Sequence, residues 1–307
     1  IEKETRPVVQ MGYMPVITNL AAPLLDHTTR AEGPVRYSAI KFAAFAEMAE
    51  ALRNGQIQAA FIIAPLAIVL RQQGEDVRVV YIGNRHESTF VVRSGLNVTQ
   101  IADLEGKTVA VPMRYSGHNL GILKQLEESR LTGRVNVVEM NPPDMAAALS
   151  AGSLDAYFVG EPFAAQTLKS GDAKLLFHVE DVWQGFICNL VIVKQSFIDR
   201  YPQRVQALVQ AAIRSGLWAS KNRRLAARIV SEYWNQPLDL VSYALETPRD
   251  RIVYNRFRPR LAELQEMADL MQHFGLLQTN NITGLIDDSF AQKADLSGIA
   301  SISDIIK

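Results

Sequence analysis

The sequence has 307 residues, with 32 basic and 32 acidic side chains and a hydrophobic fraction of 48%. This length predicts about two compact domains, and the apolar content excludes a disordered chain. The formal net charge of zero argues against a nucleic-acid-binding protein. The single cysteine, Cys188, excludes disulfides within the chain and metal cages built from several cysteines.

The first residue and the longest apolar run bear on targeting and on membrane insertion. The chain begins at Ile1 rather than at methionine, which fits a removed signal peptide or a chosen chain boundary. The longest apolar run, Ala59–Leu70, is shorter than the roughly 20 residues that a membrane-spanning helix needs. The sequence therefore predicts a folded protein without a spanning helix.

The first two thirds of the chain alternate short apolar runs with amphipathic stretches. The apolar runs predict ten strands, at Val8–Met14, Val35–Ile40, Ala59–Ala64, Val77–Ile82, Phe90–Arg93, Thr108–Val111, Val135–Met140, Ala156–Val159, Lys174–His178 and Leu190–Val193. The stretches between them predict helices at Ala43–Asn54, Pro65–Gln73, Gly117–Arg130, Asp144–Ala151 and Pro162–Ser170. This alternation is typical of parallel sheets with crossover helices.

The last third is predicted to be helical, at Tyr201–Lys221, Arg223–Trp234, Leu238–Glu246 and Arg260–Phe274, with no element assigned over 278–307. The α/β part is too long for one small sheet. We therefore predict an α/β fold with two parallel-rich sheets in two lobes. Lobe one comprises 1–92 and 193–307 and lobe two comprises 93–192, with chain crossings near 92–98 and 186–193.

The usual catalytic and nucleotide-binding motifs are absent. Gly106-Lys107-Thr108 ends like a phosphate-binding loop, but Ile101 stands where the first glycine is needed. No GxGxxG follows a strand, and no GxSxG occurs. The five histidines are not spaced as metal ligands. We expect no catalytic residues, no metal and no cofactor.

Polar and aromatic residues follow several predicted strands, where open parallel sheets bind their ligands. We expect a ligand to contact ten of them: Tyr13, Lys41, Phe42, Pro65, Asn84, Glu87, Arg114, Ser116, His118 and Glu161. Some also have a structural explanation. Lys41 fits an exposed charge at a strand end, and Glu161 fits an acid at a helix start.

The segment from Arg114 to His118 directly precedes a predicted helix. Free N–H groups at a helix start favour a negative group, and Arg114 and His118 would add positive charge or donors. Ser116 has a second explanation as the N-cap residue of that helix. Cys188 is expected to be a buried small apolar residue rather than a nucleophile.

Three segments have a pattern that belongs to a known family. They are Ala51–Gly55 before a buried strand, IADLEGKTVAVP over Ile101–Pro112, and the run from Pro142-Pro143-Asp144-Met145 to Gly160-Glu161-Pro162-Phe163. Over about residues 8–220 the chain resembles the periplasmic solute-binding proteins of nitrate, sulfonate and bicarbonate importers. The last run and the pair His118-Asn119 are most similar to the nitrate/bicarbonate branch.

The resemblance implies a type II periplasmic-binding-protein-like fold with two lobes and a hinged cleft. It implies the solute-binding component of an ABC importer, which captures a small polar or ionic solute and delivers it to a permease in the membrane. The expected location is the periplasm or the outer side of the inner membrane. We expect a monomer that binds no nucleic acid.

The same resemblance bears on the solute. It implies that His118 and a residue near Glu87 contact an anion, together with a lysine that has no counterpart in 184–189. Glu87 stands where the branch has a neutral amide, so its charge would repel nitrate. The fold also binds sulfonates, taurine and thiamine precursors. We therefore expect a solute with both an acceptor or negative end and a donor or cationic end.

Two alternatives from other classes stay open. One is an enzyme on the same fold, of the pyrimidine synthase or desulfinase type. The synthases resemble each other in a cysteine-rich motif, and the desulfinase type uses a cysteine near the first strand, so the lone Cys188 fits neither pattern. The other is a cytoplasmic ligand sensor, which an upstream signal peptide would exclude.

Overall fold

The computed structural model describes residues 6–307, so the first five residues of the predicted lobe one lie outside the described part. Within that range ten strands form two sheets of five. The strands are β1 (Val8–Tyr13), β2 (Arg36–Lys41), β3 (Ala59–Ile63), β4 (Val77–Ile82), β5 (Ser88–Arg93), β6 (Thr108–Val111), β7 (Asn136–Glu139), β8 (Ala156–Gly160), β9 (Ala173–His178) and β10 (Asn189–Lys194). Each corresponds to a predicted strand.

The helices cover the sheets and form most of the last third. They are α1 (Ala21–Thr29), α2 (Phe45–Arg53), α3 (Ala64–Gln72), α4 (Gly117–Glu128), α5 (Pro142–Ser150), α6 (Phe163–Ser170), α7 (Val179–Val182), α8 (Gln195–Arg200), α9 (Pro202–Lys221), α10 (Arg223–Trp234), α11 (Leu238–Glu246), α12 (Leu261–His273) and α13 (Ser289–Gln292). Across residues 6–307, no helix combines the length and apolar character needed to cross a bilayer.

Helix α1 is the largest element that the sequence pattern did not predict. Its sequence carries a proline in the first turn and ends in Thr28-Thr29, which are weak helix formers. Both threonine hydroxyls donate back to carbonyls four residues earlier, at 2.9 and 2.7 Å. Nearly all of the helix is buried, so tertiary packing rather than local propensity stabilises it.

The two sheets have the same mixed arrangement. The first has the order β2-β1-β3-β10-β4 and the second has the order β7-β6-β8-β5-β9. β1 is parallel to β2 and β3, whereas β10 is antiparallel to β3 and β4. In the second sheet β6 is parallel to its neighbours, whereas β5 is antiparallel to β8 and β9. Each sheet is therefore mixed, with four strands in one direction and one in the other, because β10 and β5 each enter from the other sheet.

The chain passes between the sheets twice. The first crossing is 83–87, between β4 and β5, and the second is 183–188, between α7 and β10. The predicted first crossing at 92–98 is wrong, because Ser88–Arg93 pairs with β8 and β9 along its length. Because Ser88 and Thr89 are polar, the sequence pattern did not indicate that this strand starts there. We call 6–82 with 189–307 the first half and 88–182 the second half.

The two halves share one apolar core and touch at several polar points. A single cluster of buried residues joins Met14 and Ile62 of the first half to Leu120 and Phe163 of the second. The Ile17 N–H donates to the Glu161 carbonyl at 2.7 Å. At the surface, the Lys169 ammonium lies 3.2 Å from Asp239, and His273 Nε2 lies 2.9 Å from Glu127. The halves are therefore in contact in this structure.

The segment 278–307, for which the sequence predicted no element, is held in part by a buried arginine. Arg214 on α9 donates to the carbonyls of Asp304 at 2.8 Å, Asp295 at 2.7 Å and Ser297 at 2.9 Å. Ile286 also forms a parallel bridge with Val79 at the edge of the first sheet. Such contacts are made to backbone atoms, which explains why no periodic side-chain pattern marks this segment.

Gly83 opens the first crossing, and its surroundings leave no room for a side chain. A Cβ there would lie 2.5 Å from the backbone oxygen of Thr18 and 3.3 Å from that of Asn189. We expect Gly83→Ala to lower the free energy of unfolding by about 1–3 kcal/mol, the usual cost of overpacking. Urea denaturation measures this change.

Gly216→Ala is a matched control with the opposite expected sign. Gly216 lies inside α9, and a Cβ there would make ordinary contacts at 3.6 and 3.7 Å. Alanine is favoured over glycine in a helix by about 0.5–1 kcal/mol. A Gly83→Ala protein as stable as the control would contradict the close packing of the first crossing.

Candidate functional site

The two crossings are fastened to each other by Arg85 and His86. The Arg85 guanidinium, 1% exposed, donates to the Gly185 carbonyl at 2.9 Å and pairs with Glu263 at 2.6 Å. The Gly185 N–H donates to His86 Nε2 at 2.7 Å. Burial lowers the pKa of His86, which keeps Nε2 available as an acceptor. These contacts hold the two crossings against each other at one side of the region between the halves.

Next to the contacts of Arg85 and His86 lies a group of buried polar side chains, which we call the crossing cluster: Glu87, Ser88, His118, Glu161 and Cys188. Glu87 Oε1 accepts from the Ser88 hydroxyl at 2.9 Å, and Glu87 Oε2 accepts from the Glu161 N–H at 3.1 Å. Ser88 Oγ lies 2.8 Å from His118 Nε2. The Cys188 sulfur lies 3.9 Å from the same nitrogen. The cluster thus joins both crossings to the first turn of α4.

Burial controls the ionisation of these groups. It raises the pKa of Glu87 to about 7 and raises that of Glu161. It lowers the pKa of His118 to about 3, so the imidazole is neutral at physiological pH. It also raises the pKa of the Cys188 thiol, and the Glu87 charge adds to this effect. A thiol in this state is a poor nucleophile.

Arg251 is a cation whose charge acts on both buried carboxylates, Glu87 and Glu161, and lowers the pKa of each against the larger rise that burial causes. Its Nη1 donates to the Thr89 hydroxyl at 3.2 Å, its Nη2 donates to the Ser88 carbonyl, and its Nε pairs with Glu180 at 2.7 Å. The Thr89 hydroxyl in turn donates to Glu161 at 2.8 Å. Arg251 therefore reaches from the C-terminal segment into the second half.

Two buried polar atoms at the crossings have no hydrogen-bond partner among the described residues. They are His118 Nδ1 and Asn84 Oδ1, and their residues are 1% and 6% exposed. The His118 ring packs against Phe158 and Phe186, with centroids 5.0 and 5.4 Å away. Asn84 Nδ2 is satisfied by the Ile17 carbonyl at 2.8 Å. Unpaired buried polar atoms are rare and point to a missing partner.

A groove of about 320 Å³ also lies between the halves. Its lining comes from the start of α2 in the first half and from the ends of β6 and β7 in the second: Ala44, Phe45, Ala46, Pro112, Met113, Glu139, Met140 and Asn141. No residue in this lining is basic. The sequence analysis selected none of these residues, because most of them are apolar and resemble ordinary core positions.

The structure brings together five of the ten residues that were expected to contact a ligand. Asn84, Glu87, Ser116, His118 and Glu161 are all buried at or beside the crossings. Ser116 Oγ accepts from the Asn119 N–H at 3.1 Å, which confirms its alternative explanation as the N-cap of α4. Their roles in binding remain a proposal.

The other five lie elsewhere. The Tyr13 hydroxyl and the Lys41 ammonium both donate to the Tyr233 carbonyl, at 3.5 and 3.4 Å, on the side of the C-terminal helices. Arg114 is exposed, and its guanidinium lies 4.8 Å from the Tyr115 ring. Arg114 therefore lies outside the buried crossing cluster in this structure, and its contact with a ligand stays a prediction.

Phe42 and Pro65 are apolar and lie outside the crossing cluster. Phe42 is partly buried and packs against the shared core near Gly12. Pro65 is buried in the first turn of α3. The N–H of the preceding residue, Ala64, donates to the Cys188 carbonyl at 3.0 Å, so this helix begins at the second crossing.

Sequence reasoning missed Ser88, Thr89 and Arg251. Ser88 and Thr89 look like loop residues in the sequence, although they start β5. Arg251 contacts them across 162 positions of sequence, and nothing local indicates such a pairing. Within residues 6–307, no group of three or more His, Cys, Asp or Glu side chains is placed to hold a metal ion.

Two curated proteins show the relationship at the sequence level. The taurine-binding periplasmic protein of Escherichia coli (strain K12) is 27% identical over 192 residues, which are 61% of this chain and 59% of that protein. A putative aliphatic sulfonates-binding protein of Bacillus subtilis (strain 168) is 21% identical over 209 residues, 67% of this chain and 61% of that protein. The chain thus spans about three fifths of the length of these relatives.

Solved structures share the fold. The ligand-binding component of an ABC-type import system from Staphylococcus aureus, with zinc bound, has a TM-score of 0.86 at 22% identity and covers 95% of this chain and 100% of that one. The periplasmic nitrate-binding protein NrtA from Synechocystis PCC 6803 has a TM-score of 0.83 at 14% identity, with coverage of 98% and 91%. The desulfurization enzyme DSZB has a TM-score of 0.66 at 17% identity, with coverage of 94% and 98%.

These likenesses confirm the predicted α/β fold of the periplasmic-binding-protein type and the resemblance to solute-binding proteins. They do not separate binding from catalysis, because an enzyme shares the fold. Family membership rests on the sequence itself. The profile of the NMT1-like family matches residues 2–231, most of the chain. The chain therefore belongs to the NMT1-like family.

Proposed function

We propose that this chain is the solute-binding component of an ABC importer, which takes up a small solute between its two halves and delivers it to a membrane permease. The observation that carries the proposal is the pair of unpartnered buried atoms, His118 Nδ1 and Asn84 Oδ1, at the point where the halves meet. A solute bound there supplies the missing partners. The taurine- and sulfonates-binding relatives support the same function.

The polar atoms at the crossings favour a solute with both donor and acceptor groups. Asn84 Oδ1 can only accept, so it requires a donor from the solute. His118 has one nitrogen free, which can accept or donate. Ionised Glu87 disfavours a simple anion at this depth. A small aminosulfonate, which carries an ammonium and a sulfonate, satisfies all three conditions.

Binding without turnover is part of the proposal. The one cysteine is 3% exposed, and burial raises the pKa of its thiol. A cysteine nucleophile needs access and a thiolate, and Cys188 has neither. We further propose a location on the outer side of the inner membrane, as for the periplasmic relatives, and a monomer. Cell fractionation of the natural protein would separate this location from that of a cytoplasmic sensor.

The function is tested by a thermal-shift and calorimetry panel of taurine, alkanesulfonates, nitrate, bicarbonate, simple amines and pyrimidines. A solute that binds the folded chain raises its apparent stability by RT ln(1 + [L]/Kd). We expect taurine or a related aminosulfonate to give the largest shift, and no product to form. Conversion of the bound compound to a product would instead support the enzyme alternative.

His118→Ala is expected to weaken binding of the compound identified in the panel by about 5- to 150-fold. This range corresponds to the loss of a buried hydrogen bond, about 1–3 kcal/mol. Because the ring also packs against Phe158 and Phe186, His118→Phe is a second variant that keeps an aromatic ring but lacks both nitrogens. Titration calorimetry on proteins with intact melting transitions measures the change.

Glu139→Gln is the comparison variant for the groove, since Glu139 lies in its lining and accepts from the Arg114 N–H at 2.6 Å, which the amide oxygen of glutamine can also do. We expect this change to alter affinity less than about twofold, or about 0.4 kcal/mol. If Glu139→Gln abolishes binding while both His118 variants bind normally, the solute lies in the groove and the placement at the crossings is wrong.

A further inference from the structure

Three groups of the crossing cluster form a continuous hydrogen-bonded chain. Glu87 Oε1 lies 2.9 Å from Ser88 Oγ, and Ser88 Oγ lies 2.8 Å from His118 Nε2. The other carboxylate oxygen, Glu87 Oε2, is occupied by the Glu161 N–H at 3.1 Å. A proton on Glu87 therefore resides on Oε1 and faces Ser88.

A hydroxyl has a single hydrogen, so this chain has two arrangements. When Glu87 is ionised, Ser88 donates to the carboxylate, and His118 must donate its Nε2 hydrogen to Ser88. His118 Nδ1 then carries a lone pair. When Glu87 is protonated, it donates to Ser88, and Ser88 donates to His118 Nε2. The imidazole hydrogen then resides on Nδ1.

Going from the arrangement with ionised Glu87 to the arrangement with protonated Glu87 takes up one proton in total. Glu87 Oε1 gains a hydrogen, Ser88 keeps its own and turns it from Glu87 to His118, and the imidazole keeps one hydrogen, which moves from Nε2 to Nδ1 by exchange with water. The imidazole is neutral in both arrangements. Only the free nitrogen changes, from an acceptor to a donor.

We propose that Glu87 selects the solute group that binds beside His118, by setting the tautomer of the imidazole. This proposal rests on the proposed function, since it places the solute against Nδ1. Protonated Glu87 makes Nδ1 a donor, which suits the oxygen of an anion such as nitrate or a sulfonate. Ionised Glu87 makes Nδ1 an acceptor and adds a negative charge nearby, which suits an ammonium group.

The surroundings allow both states near neutral pH. The groups facing Glu87 are the Glu161 carboxyl after β8, the Cys188 thiol of the second crossing, and Arg251 from the C-terminal segment, which is itself paired with Glu180. In the presence of these neighbours, burial raises the pKa of Glu87 to about 7, and burial also keeps His118 neutral. His86 is engaged with Gly185 and does not join the chain.

The tautomer is measured directly by nitrogen-15 NMR of the full chain with labelled histidine, titrated from pH 5 to pH 9 without any solute. The His118 signals are assigned by their absence in His118→Ala or, if that variant does not fold, in His118→Phe. We expect the Nδ1–H form at low pH and the Nε2–H form at high pH. Glu87→Gln places an amide donor against Ser88, so it should hold the Nδ1–H form throughout.

Two further variants separate the relay from a general effect of charge. Ser88→Ala removes the hydroxyl but leaves Glu87 ionisable. The His118 tautomer should then no longer change with pH as it does in the unchanged protein. Glu266→Gln, on the exposed face of α12, should behave like the unchanged protein. A single tautomer across the titration, or a switch that persists in Glu87→Gln, would overturn the proposal.

The solute step is tested with nitrate as a probe that has acceptors only. We expect nitrate to bind up to about 10-fold more tightly at pH 6 than at pH 8 in the unchanged protein, because the protonated fraction of a group with a pKa of about 7 falls about 10-fold over this range. Glu87→Gln should keep the pH 6 affinity at pH 8. If the NMR switch is observed but no compound of the panel binds, the proposed function fails while the switch stands. If nitrate binds equally at both pH values, the link between the switch and selectivity is wrong.

Discussion

Arg85→Met is expected to lower the free energy of unfolding by about 3 kcal/mol, within the range for breaking a buried ion pair. Arg85 is buried and donates to the carbonyls of Gly185 and Arg256, at 2.9 and 3.0 Å. Methionine has similar length but no donors, so both carbonyls lose a partner. Glu263 keeps its contact with Arg256 at 2.7 Å, which limits the loss. Urea denaturation at pH 7 measures the effect.

Arg134→Met is the control for the charge change. Arg134 is 57% exposed and pairs with Glu105 at the surface, where such pairs contribute about 0–1 kcal/mol. Equal losses in the two variants would show that Arg85 does not fasten the crossings. We also expect Arg85→Met to lower solute affinity, because both crossings carry residues of the proposed site.

Glu87→Gln is expected to be more stable than the unchanged protein at pH 8, by up to about 3 kcal/mol, and equally stable at pH 4. Burial raises the pKa of Glu87 from 4.5 in its ordinary state to about 7. The folded chain therefore binds this proton more tightly than the unfolded chain. The contribution is complete below pH 4.5 and is lost as the pH rises towards 7, at about 1.4 kcal/mol per pH unit. Glutamine has no such loss.

The measurement is the free energy of unfolding in urea at intervals from pH 4 to pH 9, for both proteins. The difference between them should grow between pH 4.5 and 7 and then stay constant. Glu266→Gln removes a carboxyl from the exposed face of α12 and should run parallel to the unchanged protein. A constant difference for Glu87→Gln over the whole range would mean that Glu87 has the same pKa in the folded chain as in the unfolded chain.

The strands were predictable because their information is local. Val77–Ile82 and Thr108–Val111 are short apolar runs between turn residues, and the structure has the same bounds. The first crossing was misplaced because Ser88 and Thr89 are polar and yet buried in a sheet. Their polarity is satisfied by Glu87, Glu161 and Arg251, and a local pattern contains no trace of these partners.

The site was predictable only in part, for a similar reason. The strand-end rule selected Glu87, His118 and Glu161, which are buried together. It also selected Arg114, whose side chain turns outward onto Tyr115. The rule gives the end of a strand but not the direction of the side chain, which depends on packing. The partner of His118 is Ser88 rather than Arg114, and that pairing exists only after the first crossing has brought β5 beside α4.

The ion pair between Lys169 and Asp239 joins α6 of the second half to α11 of the first across exposed surface. Separation of the halves breaks this contact, so dissolved salt competes with it. At about 0.1 M salt the screening length is about 10 Å, and it shortens to about 3 Å at 1 M. We therefore expect higher ionic strength to weaken this contact between the halves, independently of the buried groups. If the proposed solute binds between the halves, we expect its release to be faster at high ionic strength, by no more than about fivefold for a surface pair of about 0–1 kcal/mol.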